Sequence, residues 1–126
     1  MCRPSVTNCR GGRTFSEPVL SNLRNPHSAV DICFDQDLQQ LVVAYNDSQC
    51  LRTPLTLAVS DDLGHTFRAQ DLEIHEGEYS YPKVYQTADG QWHLLYTYQR
   101  TRIEHVRFNT DWLLSGRAVI GFRPDA

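Results

Sequence analysis

Apolar positions in this chain come in short runs with turn residues between them. Ala29-Val30-Asp31-Ile32-Cys33-Phe34 is one run, stopped by Asp35-Gln36-Asp37. Gln40 to Asn46 is the next, and Leu55 to Ser60 follows it. Phe67 to Ile74, Tyr81 to Thr87, Trp92 to Tyr98 and Ile103 to Phe108 complete the series. The last alternates apolar and polar, as a half-solvated strand does. Ala88-Asp89-Gly90 is a strong hairpin signal. No stretch carries a convincing helical period. The pattern predicts an all-β chain of short antiparallel strands. Trp112 to Ala126 shows no clear pattern, although Leu113-Leu114 suits a packing cap.

The turn between two of these runs is unusually specific. Ser60-Asp61-Asp62-Leu63-Gly64-His65-Thr66-Phe67 reads S-x-D-x-G-x-T-F. Asp62 is placed to accept bonds from turn amides. Gly64 tolerates positive φ, and Phe67 buries its ring as the next strand begins. A damaged copy, Asn8 to Phe15, keeps G-x-T-F but has Arg10 in place of the aspartate. Phe15 and Phe67 stand 52 positions apart, a spacing that suits a repeat.

Composition narrows the picture without supplying a function. The chain has 126 residues, 21% of them charged, and a formal net charge of −3. That balance argues against non-specific nucleic-acid binding. No apolar run approaches the ~20 residues of a membrane span, and the first residues lack an apolar signal-peptide core. The compartment is not legible. Cys2, Cys9, Cys33 and Cys50 form no C-x-x-C pair, and the five histidines no H-E-x-x-H, so neither a metal nor another cofactor is predicted. Free thiols are expected, with Cys33 packed in a strand; a Cys33–Cys50 disulfide is compatible with the sequence.

The intact turn resembles the Asp-box, or BNR repeat, of sialidase-type β-propellers. Labelling strands A to D from inside to outside, the runs read D-ABCD-ABC. The segment at 13–20 is then an orphan outer strand. Residues 25–77 form a complete blade with the Asp-box at 60–67, residues 78–112 an incomplete last blade, and 113–126 a tail. A propeller needs about four to eight blades, so two blades cannot close a ring. From Arg13 to Leu113 the sequence resembles the C-terminal part of predicted neuraminidases of the BNR-repeat sialidase-like family. Asn25 to Asp31, Arg52 to Ser60, Glu78 to Pro82 and Arg102 to Val106 carry the likeness. It implies about two blades of a six-bladed propeller.

The resemblance also implies a chemistry. Sialidases hold the sugar carboxylate with three arginines, whose planar forks bind both oxygens. A tyrosine attacks the anomeric carbon, because a neutral phenol is not repelled by that carboxylate. Arg52 matches the third arginine and Tyr79 the nucleophile. Tyr81, two residues on and expected on the same face, is the fallback. His27, Asp31 and Arg102 are weaker pocket residues, with Arg102 a suggested partner for Asp31. Ser60, Asp62, Gly64, Thr66 and Phe67 are structural. Nothing matches the first two arginines, the acid/base aspartate or the glutamate that deprotonates the tyrosine. The implied protein is a fragment of a sialidase-like glycoside hydrolase, inactive alone, with carbohydrate as its partner. The alternatives are a non-catalytic carbohydrate-binding or scaffold module and a propeller enzyme acting on another acidic sugar. A homo-oligomer is a further expectation, the orphan strand of one copy completing the last blade of the next.

Overall fold

The computed structural model describes residues 2–5, 8–9 and 12–119; part of the expected tail at 113–126 therefore lies outside the described residues. Its strands are β1 (Cys2–Ser5), β2 (Asn8–Cys9), β3 (Thr14–Phe15), β4 (Val19–Arg24), β5 (Asp31–Asp35), β6 (Gln40–Asn46) and β7 (Leu55–Ser60). They continue as β8 (Arg68–Glu73), β9 (Tyr79–Gln86), β10 (Trp92–Tyr98), β11 (Arg102–Phe108) and β12 (Arg117–Ala118). Among the described residues one short helix, α1 (Thr110–Leu114), interrupts the β pattern.

Two antiparallel sheets resemble partial propeller blades. The larger has the order β12-β8-β7-β6-β5, so four sequential strands form a meander and a later strand joins its outer edge. The smaller has the order β11-β10-β9. Strand β7 is buried along its whole length, as its apolar run Leu55-Thr56-Leu57-Ala58-Val59 requires. One face of the larger sheet presents Val42, Ala44, Leu55, Leu57 and Val59 to Val84, Trp92, Leu94 and Tyr96 of the smaller sheet. Its other face packs Val43, Tyr45, Ala58 and Ala69 against Leu23 of β4. Alternate residues of β6 thus serve two interfaces, which is the period of a pleated strand.

Three differences from the sequence reading have physical causes. The outer strand expected at 13–20 lies at Val19–Arg24 and is no orphan: it pairs antiparallel with β1. The damaged copy has its ends paired as β2 and β3, while Arg10 and Gly11 lie outside the described residues. Second, Leu113 is carried by α1 and is fully buried in the core between the sheets. Asn109 caps that helix by accepting from Trp112 N. Third, β12 was not anticipated, because two residues carry no periodicity. It pairs with β8 through Arg117↔Ala69 and Ala118↔Arg68. Gly116 permits this approach, since a Cβ there would lie 2.0 Å from the Ala69 carbonyl oxygen. Cys33 and Cys50 are both free thiols, so no disulfide joins them.

Candidate functional site

Chain entries to β5 and β9 lie at the same end of the sheets as the loop from β6 to β7 and the turn from β10 to β11. This follows from the antiparallel order of strands. His27, Arg52, Tyr79, Tyr81 and Arg102 all belong to this end.

Backbone contacts hold three of them together. Tyr79 N donates to the Arg52 carbonyl at 3.0 Å. Buried Asn46 donates its side-chain amide to the Tyr79 carbonyl at 2.9 Å and to the Pro54 carbonyl at 3.2 Å. Its Oδ1 accepts from Ser28 Oγ at 2.8 Å, and Ser28 N donates to Asn25 Oδ1 at 3.0 Å. Asn46 thus fixes the turn carrying His27, the Arg52 loop and the start of β9. His27 itself is exposed, with left-handed φ of 63°. The sequence reading missed Asn46. A lone polar residue closing an apolar run was the only available signal.

Tyr79 and Tyr81 have different fates. Tyr79 is buried, packs edge-on against Tyr98 and accepts from Gln99 Nε2 at 3.0 Å. Burial, followed by the nearby Tyr98 and Glu73, pushes its phenol pKa up, with the Gln99 amide opposing. Tyr81 is 65% exposed. The two were expected to share a face, and they do not. Between the pairs Thr97↔Ser80 and Leu95↔Lys83, β9 has two residues, Tyr81 and Pro82, opposite Tyr96 alone. This is a β-bulge, with Tyr81 at φ 53°. Pro82 brings no N–H that the ladder would have to satisfy. The bulge turns Tyr81 outward, where the Arg52 guanidinium lies over its ring at 5.6 Å.

Arg102 and Asp31 go to other partners. Arg102 ion-pairs with Glu104 and covers the Tyr98 ring at 3.9 Å. Asp31 accepts from Val84 N at 2.8 Å and faces Lys83 Nζ at 3.6 Å. The suggested Arg102–Asp31 pair is not formed, because β9 reaches Asp31 first and its free edge supplies an amide. Asp31 and Asp35, the latter accepting from Gln86 at 3.1 Å, tie β5 to β9 without ladder bonds.

A carboxylate–tyrosine pair does exist at this end, but it uses neither Tyr79 nor Tyr81. Tyr96 OH donates to Glu73 Oε2 at 2.6 Å. Burial first, then this bond, holds the Tyr96 phenol above its ordinary range. Glu73 is thus engaged by Tyr96 and touches neither Tyr79 OH nor Tyr81 in a hydrogen bond. At the opposite end the Asp-box turn closes on itself. Asp62 accepts from Thr66 N at 2.9 Å, Thr66 Oγ1 at 2.6 Å and Ser60 Oγ at 2.7 Å. Ser60 Oγ accepts from Gly64 N at 2.8 Å. Gly64 has φ 91°, and Phe67 is buried.

The fold has close counterparts. The chain superposes on the leech intramolecular trans-sialidase complexed with 2,7-anhydro-Neu5Ac with a TM-score of 0.69 and 14% identity; 89% of this chain and 21% of that one are covered. The intramolecular trans-sialidase from Ruminococcus gnavus, in complex with oseltamivir carboxylate, gives a TM-score of 0.70 at 16% identity, over 89% of this chain and 29% of that one. The chain thus spans less than a third of either. No curated protein matches it. The family model for the BNR repeat-like domain matches residues 3–94. Strand order, Asp-box geometry and that match together place the chain in the BNR repeat-like domain family.

Proposed function

We propose that the chain is the last part of a sialidase-like glycoside hydrolase scaffold, and that its Arg52–Tyr81 end holds an acidic sugar without hydrolysing it. The observation that carries this reading is the Arg52 guanidinium over the outward-turned Tyr81 ring, both anchored to the start of β9. Arginine suits a sugar carboxylate, and an aromatic face suits the apolar face of a sugar ring. The two trans-sialidases were solved with 2,7-anhydro-Neu5Ac and with oseltamivir carboxylate, the second named as a carboxylate.

Catalysis needs more than this end supplies. A phenol titrates near pH ~10 and needs a base to attack at neutral pH. Tyr79 is the family-matched nucleophile, yet its hydroxyl is buried against an amide donor. Tyr81 is the accessible phenol, and Glu73 is spent on Tyr96. The chain therefore reads as a carbohydrate-holding module on its own, with Tyr81 the better placed of the two tyrosines.

Saturation-transfer NMR with N-acetylneuraminic acid tests binding, and a fluorogenic sialoside tests turnover. Binding that Arg52→Ala weakens at least tenfold, with no turnover, is the expected result. Turnover abolished by Tyr79→Phe or Tyr81→Phe overturns the inactive reading. Binding that Arg52→Ala leaves untouched overturns the site.

A further inference from the structure

One face of the β9–β11 sheet packs on the larger sheet; the other is largely exposed and carries charge of one sign. The register puts Tyr85, His93 and Arg107 in one row on that face, and Lys83, Leu95 and His105 in the next. Outward-turned Tyr81 lies further along β9, with the Arg52 guanidinium over its ring. Glu104 is the one acidic residue in the three strands, and it alternates to the opposite face, paired with Tyr96 in the ladder. Two carboxylates border the surface, and both are engaged. Asp31 accepts from Val84 N and faces Lys83 Nζ, while Asp89 accepts from Thr87 Oγ1 and Gln91 N. Among the described residues, Arg52 and Arg107 make no ion pair.

These features select the occupant. Where the larger sheet is covered, it presents Val42, Ala44 and Leu57 on one face and Val43 and Ala58 on the other. A sheet laid over Lys83 and Arg107 would instead bury cations that no carboxylate of this face neutralises. An anionic partner supplies the missing charge. Nucleic-acid bases need free ring faces to stack on. Here Tyr85 stacks on His93 at 4.9 Å and 10°, and His93 meets His105 edge to edge with their nitrogens 2.9 Å apart. The rings are turned toward one another and present polar edges, which suit hydroxyl groups.

We infer that this face holds an extended acidic glycan, a chain of carboxylate-bearing sugars running from Arg52 and Tyr81 past Lys83 to Arg107. The cations take successive carboxylates, and the edges of Tyr85, His93 and His105 bond the hydroxyls between them. Along β9, Tyr81 and Tyr85 are four residues apart, roughly 13 Å at the rise of a strand, which is more than one sugar ring spans. The inference rests on the reading above at its Arg52 end alone; Lys83 and Arg107 extend beyond it.

Calorimetric titration of the intact chain with N-acetylneuraminic acid and with its linear tetramer tests the surface. The tetramer should bind about tenfold more tightly or better, because its linked carboxylates engage several cations at once. Lys83→Gln and Arg107→Gln, both at exposed positions, should each remove about threefold of that advantage. Raising NaCl from ~0.05 M to ~0.5 M should weaken tetramer binding more than monomer binding. In the unmutated chain the tetramer should shift the Lys83, Leu95 and His105 amide NMR signals that the monomer leaves in place, a readout that needs no variant to fold. Equal affinity for the two ligands overturns the inference. So does a tetramer advantage that survives Lys83→Gln and Arg107→Gln together, or tighter binding of a neutral glucan or of oligothymidylate. A tetramer advantage found where Arg52→Ala leaves monomer binding untouched would sink the Arg52 reading and spare this face. Monomer binding that depends on Arg52, with no gain from the tetramer, would do the reverse.

Discussion

Asp62 shows how much of a turn can rest on one carboxylate. Three donors converge on it, and the Thr66 side-chain hydroxyl, the Thr66 amide and the Ser60 hydroxyl, in that order, hold its pKa well below the usual carboxylate range. A depressed folded-state pKa contributes stability that is present above the unfolded value of ~3.9 and is lost as pH falls through the folded value. Asp35 and Asp89, depressed for similar reasons, act in the same direction. Thermal unfolding should therefore show Tm falling as pH drops below ~4. Asp62→Asn should lower Tm at neutral pH and flatten that acid slope; an unchanged slope would mean that the turn bonds carry no net stability. The turn was legible in the sequence because its residue types are demanded by local geometry. The contact of His93 Nδ1 with His105 Nε2 at 2.9 Å was not, since it depends on the register of β10 with β11, where His105 lies opposite Leu95 and one step diagonally from His93.

At the scale of elements, apolar runs predicted strands closely. The runs at 40–46, 55–60 and 92–98 coincide with β6, β7 and β10. The misses are elements whose stability comes from what they dock on. Helix α1 has five residues, too few to persist alone, and it exists because Leu113 fills the core between the sheets. Strand β12 depends on Gly116 and on Arg117, whose guanidinium meets Asp47 at 2.7 Å and Asp71 at 2.9 Å. Gly116→Ala should clash with the Ala69 carbonyl, detach β12 and release Arg117. Faster hydrogen exchange at the β8 amides facing β12, with Tm lowered by several degrees, is the expected outcome. Retained protection would show that the backbone shifts to absorb the methyl group.

Across the whole molecule, the sheets and the candidate site share one buried residue. Asn46 joins the entry to β5, the loop carrying Arg52 and the start of β9 by three side-chain hydrogen bonds. Asn46→Ala leaves the Tyr79 carbonyl, the Pro54 carbonyl and the Ser28 hydroxyl short of partners, each worth roughly 1–3 kcal/mol when buried. Denaturant unfolding should register a loss of about 2–4 kcal/mol, and binding of acidic sugar at Arg52 should weaken with it. A stability loss with binding unchanged would separate the scaffold from the site. The strand-exchange oligomer loses its simplest donor, because β4 already uses one edge to pair with β1, while β11 still ends its sheet. Strand content and the Asp-box were readable from the chain alone. Which tyrosine faces outward was not, because a bulge is a property of two strands in register and leaves little trace in either one.

That extra residue in β9 affects how this stretch is compared with other proteins. Where a homologue lacks the insertion, a gapless alignment through Ser80-Tyr81-Pro82 would pair interior positions with surface ones on one side of it. A tyrosine matched by column alone would then be assigned the environment of its neighbour, and a role transferred by counting would fall on a ring sealed in the core.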